Sequence, residues 1–269
     1  MSVAKLLSIA GSDPSGGAGV QADLKTFSAL RCYGMAAVTA LTVQNTTGVT
    51  RVMGVPPDMV AAQIDAIFAD IAVDAVKIGM LAEPAIARAV ADSLRRANAK
   101  NIVLDPVLAA TKGVAVSDDE LPRAILEHLL PLADVITPNL AEAAILTGAA
   151  LARDVADMAA QARALVESGA RAALVKGGHL GGEPVDALFA NGALTLFSGR
   201  RIDTRHAHGT GCALSSAIAA KLARGMALGE AVAQAKTWLE QALAAGEALH
   251  LGAGAGPPNH FWELWGEGS

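Results

Sequence analysis

The chain of 269 residues lacks most features of secreted, membrane-spanning or nucleic-acid-binding proteins. It has only two cysteines, Cys32 and Cys212, whose spacing fits neither a disulfide framework nor a cysteine-rich zinc site. Acidic residues outnumber basic ones, 26 to 21, and this net charge of −5 disfavours nucleic acid as a main partner. Without an uncharged apolar run of about 18 residues, we expect no membrane span. The N-terminus has the pattern of neither a signal nor a transit peptide, so we expect a cytoplasmic protein.

Apolar residues, in contrast, are abundant. Hydrophobic residues make up 52% of the chain and charged residues 17%, a balance that indicates a packed core rather than a disordered chain. No linker, charge block or internal repeat divides the sequence. We therefore predict a single domain over residues 1–269.

Short strand-like apolar runs alternate with longer stretches of helical periodicity. Asn191-Gly192, between two such runs, predicts a hairpin at a sheet edge. The alternation predicts an α/β fold with three layers, in which a mostly parallel central sheet has helices on both faces. The predicted strands are residues 4–10, 35–43, 75–78, 101–104, 135–137, 172–176, 186–190 and 194–198. The predicted helices are residues 20–30, 57–71, 84–97, 121–130, 156–168, 212–223 and 229–249.

A glycine-rich loop from Gly11 to Gly19 follows the first predicted strand. Ligands of open parallel sheets bind beyond the carboxyl ends of strands, where glycines let backbone amides approach them. The loop lacks the lysine of a P-loop, and the second strand ends in Gln44 rather than in the acidic residue that a dinucleotide ribose requires. A nicotinamide-dependent oxidoreductase is therefore disfavoured. A plain turn between strand and helix is the alternative explanation of the loop.

A second glycine-rich segment, residues 208–212, opens a long predicted helix. Its backbone amides and the positive end of the helix dipole suit an anion such as phosphate. This position favours the thiolate of Cys212, the form that acts as a base or nucleophile, although an inert buried cysteine is the alternative. His206 and His208 could bind a metal as a pair. Because no third ligand lies near them in sequence, we expect loop histidines exposed to solvent.

Polar residues follow three further predicted strands. Asn139 and Glu142 have the spacing of a helix cap, and Asp105 precedes a proline in a turn, so both features have explanations without a ligand. Carboxylates at neighbouring strand ends could also hold Mg²⁺, directly or through water, beside a polyphosphate. Lys176 ends another strand, where it either brings a cation to phosphates or begins a hairpin.

Together these segments resemble the hydroxymethylpyrimidine and phosphomethylpyrimidine kinases of thiamine biosynthesis, a branch of the ribokinase-like superfamily. The resemblance spans nearly the whole chain, and the ordered combination of motifs is specific although no single motif is. The motifs are IAGSDPSGGAG at 9–19 with QADLKT at 21–26, TALTVQNT at 39–46, VKIGML at 76–81, LDPV at 104–107, TPNL at 137–140, VKGGH at 175–179 and HGTGC at 208–212.

The resemblance implies phosphorylation, with ATP, of the hydroxymethyl group of 4-amino-5-hydroxymethyl-2-methylpyrimidine, and then of the monophosphate to the diphosphate. It implies that Gln44 binds the pyrimidine. The residues implied to lie near that substrate are Asp23, Met80 and Gly11. Ala207 and Ala213 depart from the pattern, since a polar residue is expected at each position, and this puts individual nucleotide contacts in doubt.

The phosphate side is implied in the same way. The turn of Gly209, Thr210 and Gly211 would form an anion hole under the transferring phosphoryl group, and Cys212 would replace the aspartate base of sugar kinases. Asp105, Asn139 and Glu142 are implied on the side of Mg²⁺ and phosphate, with Asp105 and Glu142 as the metal candidates and Asn139 as a nucleotide contact. Lys176 is implied near the nucleotide.

Two other functions stay open. A pyridoxal-type vitamin kinase of the same superfamily differs in substrate range, and a pyrimidine-binding sensor would lack turnover. The presence of Cys212, Asp105 and Glu142 argues against the sensor. For a kinase, the expected partners are a small-molecule pyrimidine, ATP and Mg²⁺, and we expect a homodimer.

Overall fold

The computed structural model describes residues 3–108, 120–178 and 180–265. Within these residues one sheet contains all the strands. The strands are β1 (Lys5–Ser12), β2 (Tyr33–Asn45), β3 (Gly48–Gly54), β4 (Ala75–Ile78), β5 (Ile102–Leu104), β6 (Val135–Ile136), β7 (Ala172–Lys176), β8 (Val185–Ala190) and β9 (Ala193–Ser198). The α-helices are α1 (Gly19–Ala29), α2 (Pro57–Asp70), α3 (Pro84–Arg96), α4 (Glu120–Ala124), α5 (Leu140–Thr147), α6 (Val155–Glu167), α7 (Thr210–Leu222) and α8 (Leu228–Ala244).

The strand order is β3-β2-β1-β4-β5-β6-β7-β8-β9. The six strands from β2 to β7 in this order are parallel, whereas β3 at one edge and β8 and β9 at the other are antiparallel. β1 lies between β2 and β4, so the chain leaves β1 towards one side of the sheet and later returns to its other side. Such a reversal opens a crevice at the carboxyl ends of the strands.

Helices cover both faces of the sheet. Leu7 and Ile9 of β1 belong to the core under α2 to α6, whereas Leu6 belongs to the core under α1, α7 and α8. Strands buried on both faces have nearly continuous apolar runs, which is the pattern that β1 and β4 show in the sequence. The predicted three-layer α/β fold with a mostly parallel sheet is confirmed. That residues 1–269 form a single domain stays a prediction.

The structure also departs from the predicted elements. Sequence analysis missed β3, and β2 extends to Asn45 to pair with it. β3 alternates only weakly between buried and exposed residues because it lies at an edge, so its identity as a strand depends on pairing with β2. The helix predicted at 121–130 begins as α4 but continues as a π-helical turn over Ile125–Leu129 and a 3₁₀ turn over Leu130–Leu132. Pro131 has no N–H to continue the helix.

No helix of residues 3–108, 120–178 and 180–265 is long and apolar enough to cross a membrane.

Candidate active site

A cavity of about 210 Å³ lies at the carboxyl ends of the central strands. Its walls come from the first glycine-rich loop, the end of β2, the segments after β4 and β5, and the N-terminal ends of α5 and α7. The sequence-predicted residues that line it are Gly11, Gln44, Met80, Asn139, Gly209, Gly211 and Cys212. The predicted residues that do not line it are Asp23, Asp105, Glu142, Lys176 and Thr210. His179, which ends the VKGGH motif, lies outside the described residues.

Glycine at two loop positions allows the cavity walls to close on each other. The N–H of Gly11 donates to the carbonyl of Met80 at 3.1 Å, and a Cβ on Gly11 would collide with the Met80 methyl group. Gly209 adopts a φ of +77°, and a Cβ there would collide with the carbonyl of Gly17. Both glycine-rich segments therefore pack against neighbouring backbone or side chains that leave no room for a larger residue.

Gln44 belongs to a polar network on one wall. Its Nε2 lies 3.0 Å from Nε2 of His208, which lies 3.1 Å from Oδ2 of Asp13. The carboxylate of Asp13 also accepts the N–H groups of Ser15, Gly17 and Ala18, which fixes the first glycine-rich loop. Burial raises the pKa of Asp13, but hydrogen bonds from His208 and Ser15 outweigh it and leave the net pKa lowered.

The expectation that His206 and His208 are exposed loop histidines is wrong. His206 has no exposed surface, and the side chain of His208 is 9% exposed. The C-terminal segment covers both: the N–H of His208 donates to the carbonyl of Gly256, and a Cβ on Gly256 would collide with the His206 ring. Spacing in the sequence could not reveal this cover, because the covering residues come from the far end of the chain.

The N-terminus of α7 faces the cavity through Gly211 and Cys212. The first N–H groups of a helix have no partner within the helix, and the helix dipole adds positive potential there. The hydroxyl of Thr210 donates to the carbonyl of Ala207 at 2.6 Å, so this side chain stabilises the turn. The arrangement is chemically suited to bind an anion.

The thiol of Cys212 is less acidic than its helix position suggests. Burial raises its pKa to about 11, and the charges of Asp23 and Asp105 act in the same direction. Lys77 and the backbone N–H of Gly19 lower the pKa, but by less. The prediction of a favoured thiolate is therefore wrong for the ligand-free protein, because desolvation outweighs the effect of the helix start.

Asp23 forms a buried ion pair. Both of its carboxylate oxygens lie 2.9 Å from Nζ of Lys77, and they also accept hydrogen bonds from the hydroxyls of Ser8 at 2.6 Å and Ser216 at 2.7 Å. Asp23 and Lys77 have no exposed surface. Burial lowers the pKa of Lys77, but Asp23, Cys212 and Asp105 together outweigh it and the net pKa is raised. The resemblance implied that Asp23 lies near the substrate, but Asp23 does not line the cavity and its carboxylate oxygens are occupied by these partners.

Asp105 and Lys176 form a second buried pair at 2.8 Å. The hypothetical Cβ of Gly211 would lie 3.2 Å from Nζ of Lys176 and 3.7 Å from Oδ2 of Asp105, so the pair lies directly against the start of α7. Burial raises the pKa of Asp105, but Lys176 and Lys77 outweigh it and the net pKa is lowered. The pair places one fixed positive and one fixed negative charge beside the candidate anion site at the N-terminus of α7.

Glu142 caps α5. Its N–H donates to Oδ1 of Asn139 at 2.9 Å, and its Oε2 accepts the N–H of Asn139 at 2.8 Å, which confirms the capping interpretation. Burial raises the pKa of Glu142 to about 7; Lys176 lowers it and Asp105 raises it. Glu142 therefore also lies within electrostatic reach of the Asp105–Lys176 pair.

Magnesium fits this donor set only in part. Within the described ranges of the chain, no three or more His, Cys, Asp or Glu side chains cluster closely enough to hold a metal ion. Mg²⁺ in proteins commonly takes one or two carboxylates and completes its shell with water and substrate phosphates. Asp105 and Glu142 provide such carboxylates, and a cation would relieve the cost of a charged, buried Glu142.

Sequence reasoning missed several residues of the site. Asp13, Thr42 and His208 line the cavity, and Lys77 lies behind it. Asp13 and Lys77 fall within quoted motifs, but no local pattern distinguished them from their neighbours. The one signal that could have indicated Lys77 is its position inside a short apolar strand, because a lysine buried there requires a charged partner.

Solved structures of small-molecule kinases are similar to this chain over almost its full length. The pyridoxal kinase of Staphylococcus aureus in complex with AMP-PCP and pyridoxal has a TM-score of 0.89 and 32% identity, covering 99% of this chain and 97% of that one. The phosphomethylpyrimidine kinase of Clostridium difficile 630 has a TM-score of 0.79 and 40% identity, covering 89% and 99%. The fold is thus that of the ribokinase-like kinases.

Sequence comparison identifies the family. The family model described as phosphomethylpyrimidine kinase matches residues 13–259. The hydroxymethylpyrimidine/phosphomethylpyrimidine kinase of Rhizobium meliloti (strain 1021) is 54% identical over 260 residues, which cover 96% of this chain and 97% of that protein. The chain belongs to the phosphomethylpyrimidine kinase family, as the resemblance indicated.

Proposed function

We propose that this protein phosphorylates 4-amino-5-hydroxymethyl-2-methylpyrimidine with ATP, and then phosphorylates the monophosphate to the diphosphate, in thiamine biosynthesis. Membership of the family supports the reaction. The observation that carries the proposal is that one cavity of about 210 Å³ brings Gln44 together with the helix start at Gly211 and Cys212. An amide side chain can bind a heteroaromatic edge, while backbone amides stabilise a transferring phosphoryl group.

The geometry supports the following proposed division of roles. Gln44 pairs with the amino group and a ring nitrogen of the pyrimidine, with Met80 and Gly11 beside it. The N–H groups at Gly209 to Gly211 hold the phosphoryl oxygens, and Lys176 neutralises charge behind them. Phosphoryl transfer depends mainly on such positioning and charge stabilisation. Asn139, at the cavity wall, is the proposed nucleotide contact.

Cys212 is the proposed base of the first step. The hydroxymethyl group is neutral and loses its proton as it attacks, so a base within reach of this hydroxyl is needed. Because the pKa of Cys212 is raised to about 11, only a small thiolate fraction is available near neutral pH. Lys77 is the positive charge that favours this thiolate most.

Magnesium is the proposed metal cofactor. Asp105 and Glu142 would hold it, directly or through water, and it would neutralise phosphate charge when bound. The Asp105 carboxylate would then interact with both Lys176 and the metal ion.

The decisive experiment is a coupled assay of ATP consumption with hydroxymethylpyrimidine, its monophosphate and pyridoxal in parallel. Turnover of both pyrimidines supports the proposal. Pyridoxal kinase is the second candidate, since the Staphylococcus aureus enzyme with this fold was solved with pyridoxal. Faster turnover of pyridoxal than of either pyrimidine would favour that candidate, and binding without turnover would indicate a sensor.

We also propose a homodimer formed through the hairpin of β2 and β3. Leu41 of β2 lies directly opposite Met53 of β3, and Val43 shares this face of β2. These three side chains are about half exposed, at 47%, 52% and 57% respectively. Sedimentation analysis should give the mass of two chains, and Val43→Glu should shift the protein towards the monomer. A wild-type monomer at micromolar concentration would refute the proposal.

A cytoplasmic location remains our proposal. Cys32 and Cys212 are both free thiols, as expected of a protein in a reducing compartment.

A further inference from the structure

One ring nitrogen of His208 lies beside two groups that require opposite hydrogen-bonding roles from it. A carboxylate needs a donor there, and an NH₂ group needs an acceptor. Its Nε2 lies 3.1 Å from a carboxylate oxygen of Asp13 and 3.0 Å from the side-chain nitrogen of Gln44. An imidazole nitrogen either carries a hydrogen or presents a lone pair. A lone pair would face the carboxylate, and a hydrogen would face the NH₂ group of Gln44. The two contacts cannot both be favourable as they stand.

The other contacts of Asp13 indicate that Nε2 of His208 carries a hydrogen. Its Oδ1 accepts both the N–H and the hydroxyl of Ser15, and its Oδ2 accepts the N–H groups of Gly17 and Ala18. A carboxylate with so many donors is ionised and presents only lone pairs. Nε2 of His208 therefore carries a hydrogen. The NH₂ group of Gln44 beside it would be repelled, whereas the Gln44 carbonyl could share this hydrogen with Asp13.

Thr42 leads independently to the same conclusion. Its hydroxyl oxygen lies 2.8 Å from the carbonyl oxygen of Ser12 and 3.2 Å from the side-chain oxygen of Gln44. A hydroxyl has a single hydrogen, and a backbone carbonyl can only accept. The shorter contact uses this hydrogen, so the hydroxyl has only lone pairs left for Gln44. The Gln44 atom beside Thr42 must therefore donate.

Both conflicts disappear when the two ends of the Gln44 amide exchange places. We infer that Asp13, His208 and Thr42 act together as positioning residues that hold the Gln44 carbonyl towards His208 and its NH₂ group towards Thr42. In this orientation the hydrogen on Nε2 of His208 is shared by the Asp13 carboxylate and the Gln44 carbonyl, and the Thr42 hydroxyl accepts from the Gln44 NH₂ group. An amide free to rotate could present its donor and acceptor in either order, whereas this network permits one.

The fixed order determines which substrate edge Gln44 recognises, an inference that rests on the proposed function. The carbonyl on the His208 side accepts an amino hydrogen, and the NH₂ group on the Thr42 side donates to an adjacent ring nitrogen. A 4-aminopyrimidine has such an adjacent pair. Pyridoxal does not, because its ring nitrogen and its hydroxyl-bearing carbon are separated by a methylated carbon. The network therefore favours an aminopyrimidine over pyridoxal.

Thr42→Val tests the network by removing the hydroxyl with little change of shape. Loss of one hydrogen bond should raise KM for hydroxymethylpyrimidine about 3- to 10-fold. The kcat, KM for ATP and KM for pyridoxal should stay unchanged, which a general structural defect would not allow. Thr237→Val is the matched control, since the hydroxyl of the exposed Thr237 donates to the carbonyl of Ala233 within α8 and Thr237 does not line the cavity. An unchanged KM, or an equal rise for both substrates, would overturn the inference.

A second measurement does not depend on turnover. Long-range proton–nitrogen correlation spectra of the ¹⁵N-labelled, ligand-free protein should show a hydrogen on Nε2 of His208. A lone pair on that nitrogen would overturn the inference even if Thr42→Val behaved as expected. If the wild-type protein fails to phosphorylate hydroxymethylpyrimidine, the proposed function fails, while the spectra still decide the orientation of Gln44.

Discussion

Replacing Cys212 by alanine should affect the two phosphorylations unequally. The first step removes a proton from a neutral alcohol, so losing a base should slow it by about 10²- to 10⁴-fold, or about 3 to 5 kcal/mol. The nucleophile of the second step is a phosphate oxygen that is already anionic near neutral pH. It needs no base, and the amides of Gly209 to Gly211 remain in the variant. The second activity should therefore keep a much larger share of its rate.

The raised pKa of Cys212 adds a dependence on pH. A pKa of about 11 leaves a thiolate fraction on the order of 10⁻⁴ at pH 7, and this fraction grows tenfold with each pH unit. If the thiolate is the base, the rate of the first step should rise with pH, with a slope of about one on logarithmic axes, between pH 7 and pH 10. The second step should lack this rise, as should the first step in Cys212→Ala.

Single-turnover kinetics with each substrate, at saturating ATP and Mg²⁺, measures both effects. Cys32→Ala is the matched control, since Cys32 is also a free thiol but is buried away from the cavity lining. Equal fractional losses in both steps, or a first step independent of pH, would refute the base. Cys212 would then serve only to position the phosphoryl group or to pack the start of α7.

Three further predictions concern neighbouring residues. Gln44→Ala should weaken pyrimidine binding by about 1 to 3 kcal/mol in calorimetry with ATP affinity almost unchanged; equal affinity would refute its role. The pKa of Glu142 is raised to about 7, so the folded state binds its proton more tightly and stability should fall as pH rises from 4.5 to 7. Glu142→Gln should remove this fall in urea unfolding and raise the Mg²⁺ concentration for half-maximal rate; an unaltered Mg²⁺ dependence would favour capping alone. Lys77→Met should cost about 3 to 5 kcal/mol of unfolding free energy by leaving Asp23 unpaired, against at most about 1 kcal/mol for Arg96→Met in an exposed pair. Similar losses of unfolding free energy in the two variants would contradict this prediction.

Local patterns were sufficient to predict most of the fold. The central strands are buried on both faces, so β1 and β4 appear as short apolar runs that need no tertiary information. β3 could not be predicted in this way, because an exposed edge strand has no regular apolar pattern and is defined by its pairing with β2. The helix cap at Asn139 and Glu142 was predictable for the opposite reason: its two hydrogen bonds join residues three positions apart.

The sequence by itself also determined where the site lies. Parallel strands bring their carboxyl ends to one edge, so the segments around Gly11, Gln44 and Cys212 had to approach one another. Only the tertiary structure decided the acidity and the hydrogen bonding of the side chains in this site. Burial made the Cys212 thiol weakly acidic, and the C-terminal segment enclosed His208 so that it could join Asp13 to Gln44. Acidity and hydrogen bonding depend on desolvation and on charges a few ångströms away, and most of those neighbours come from distant parts of the chain.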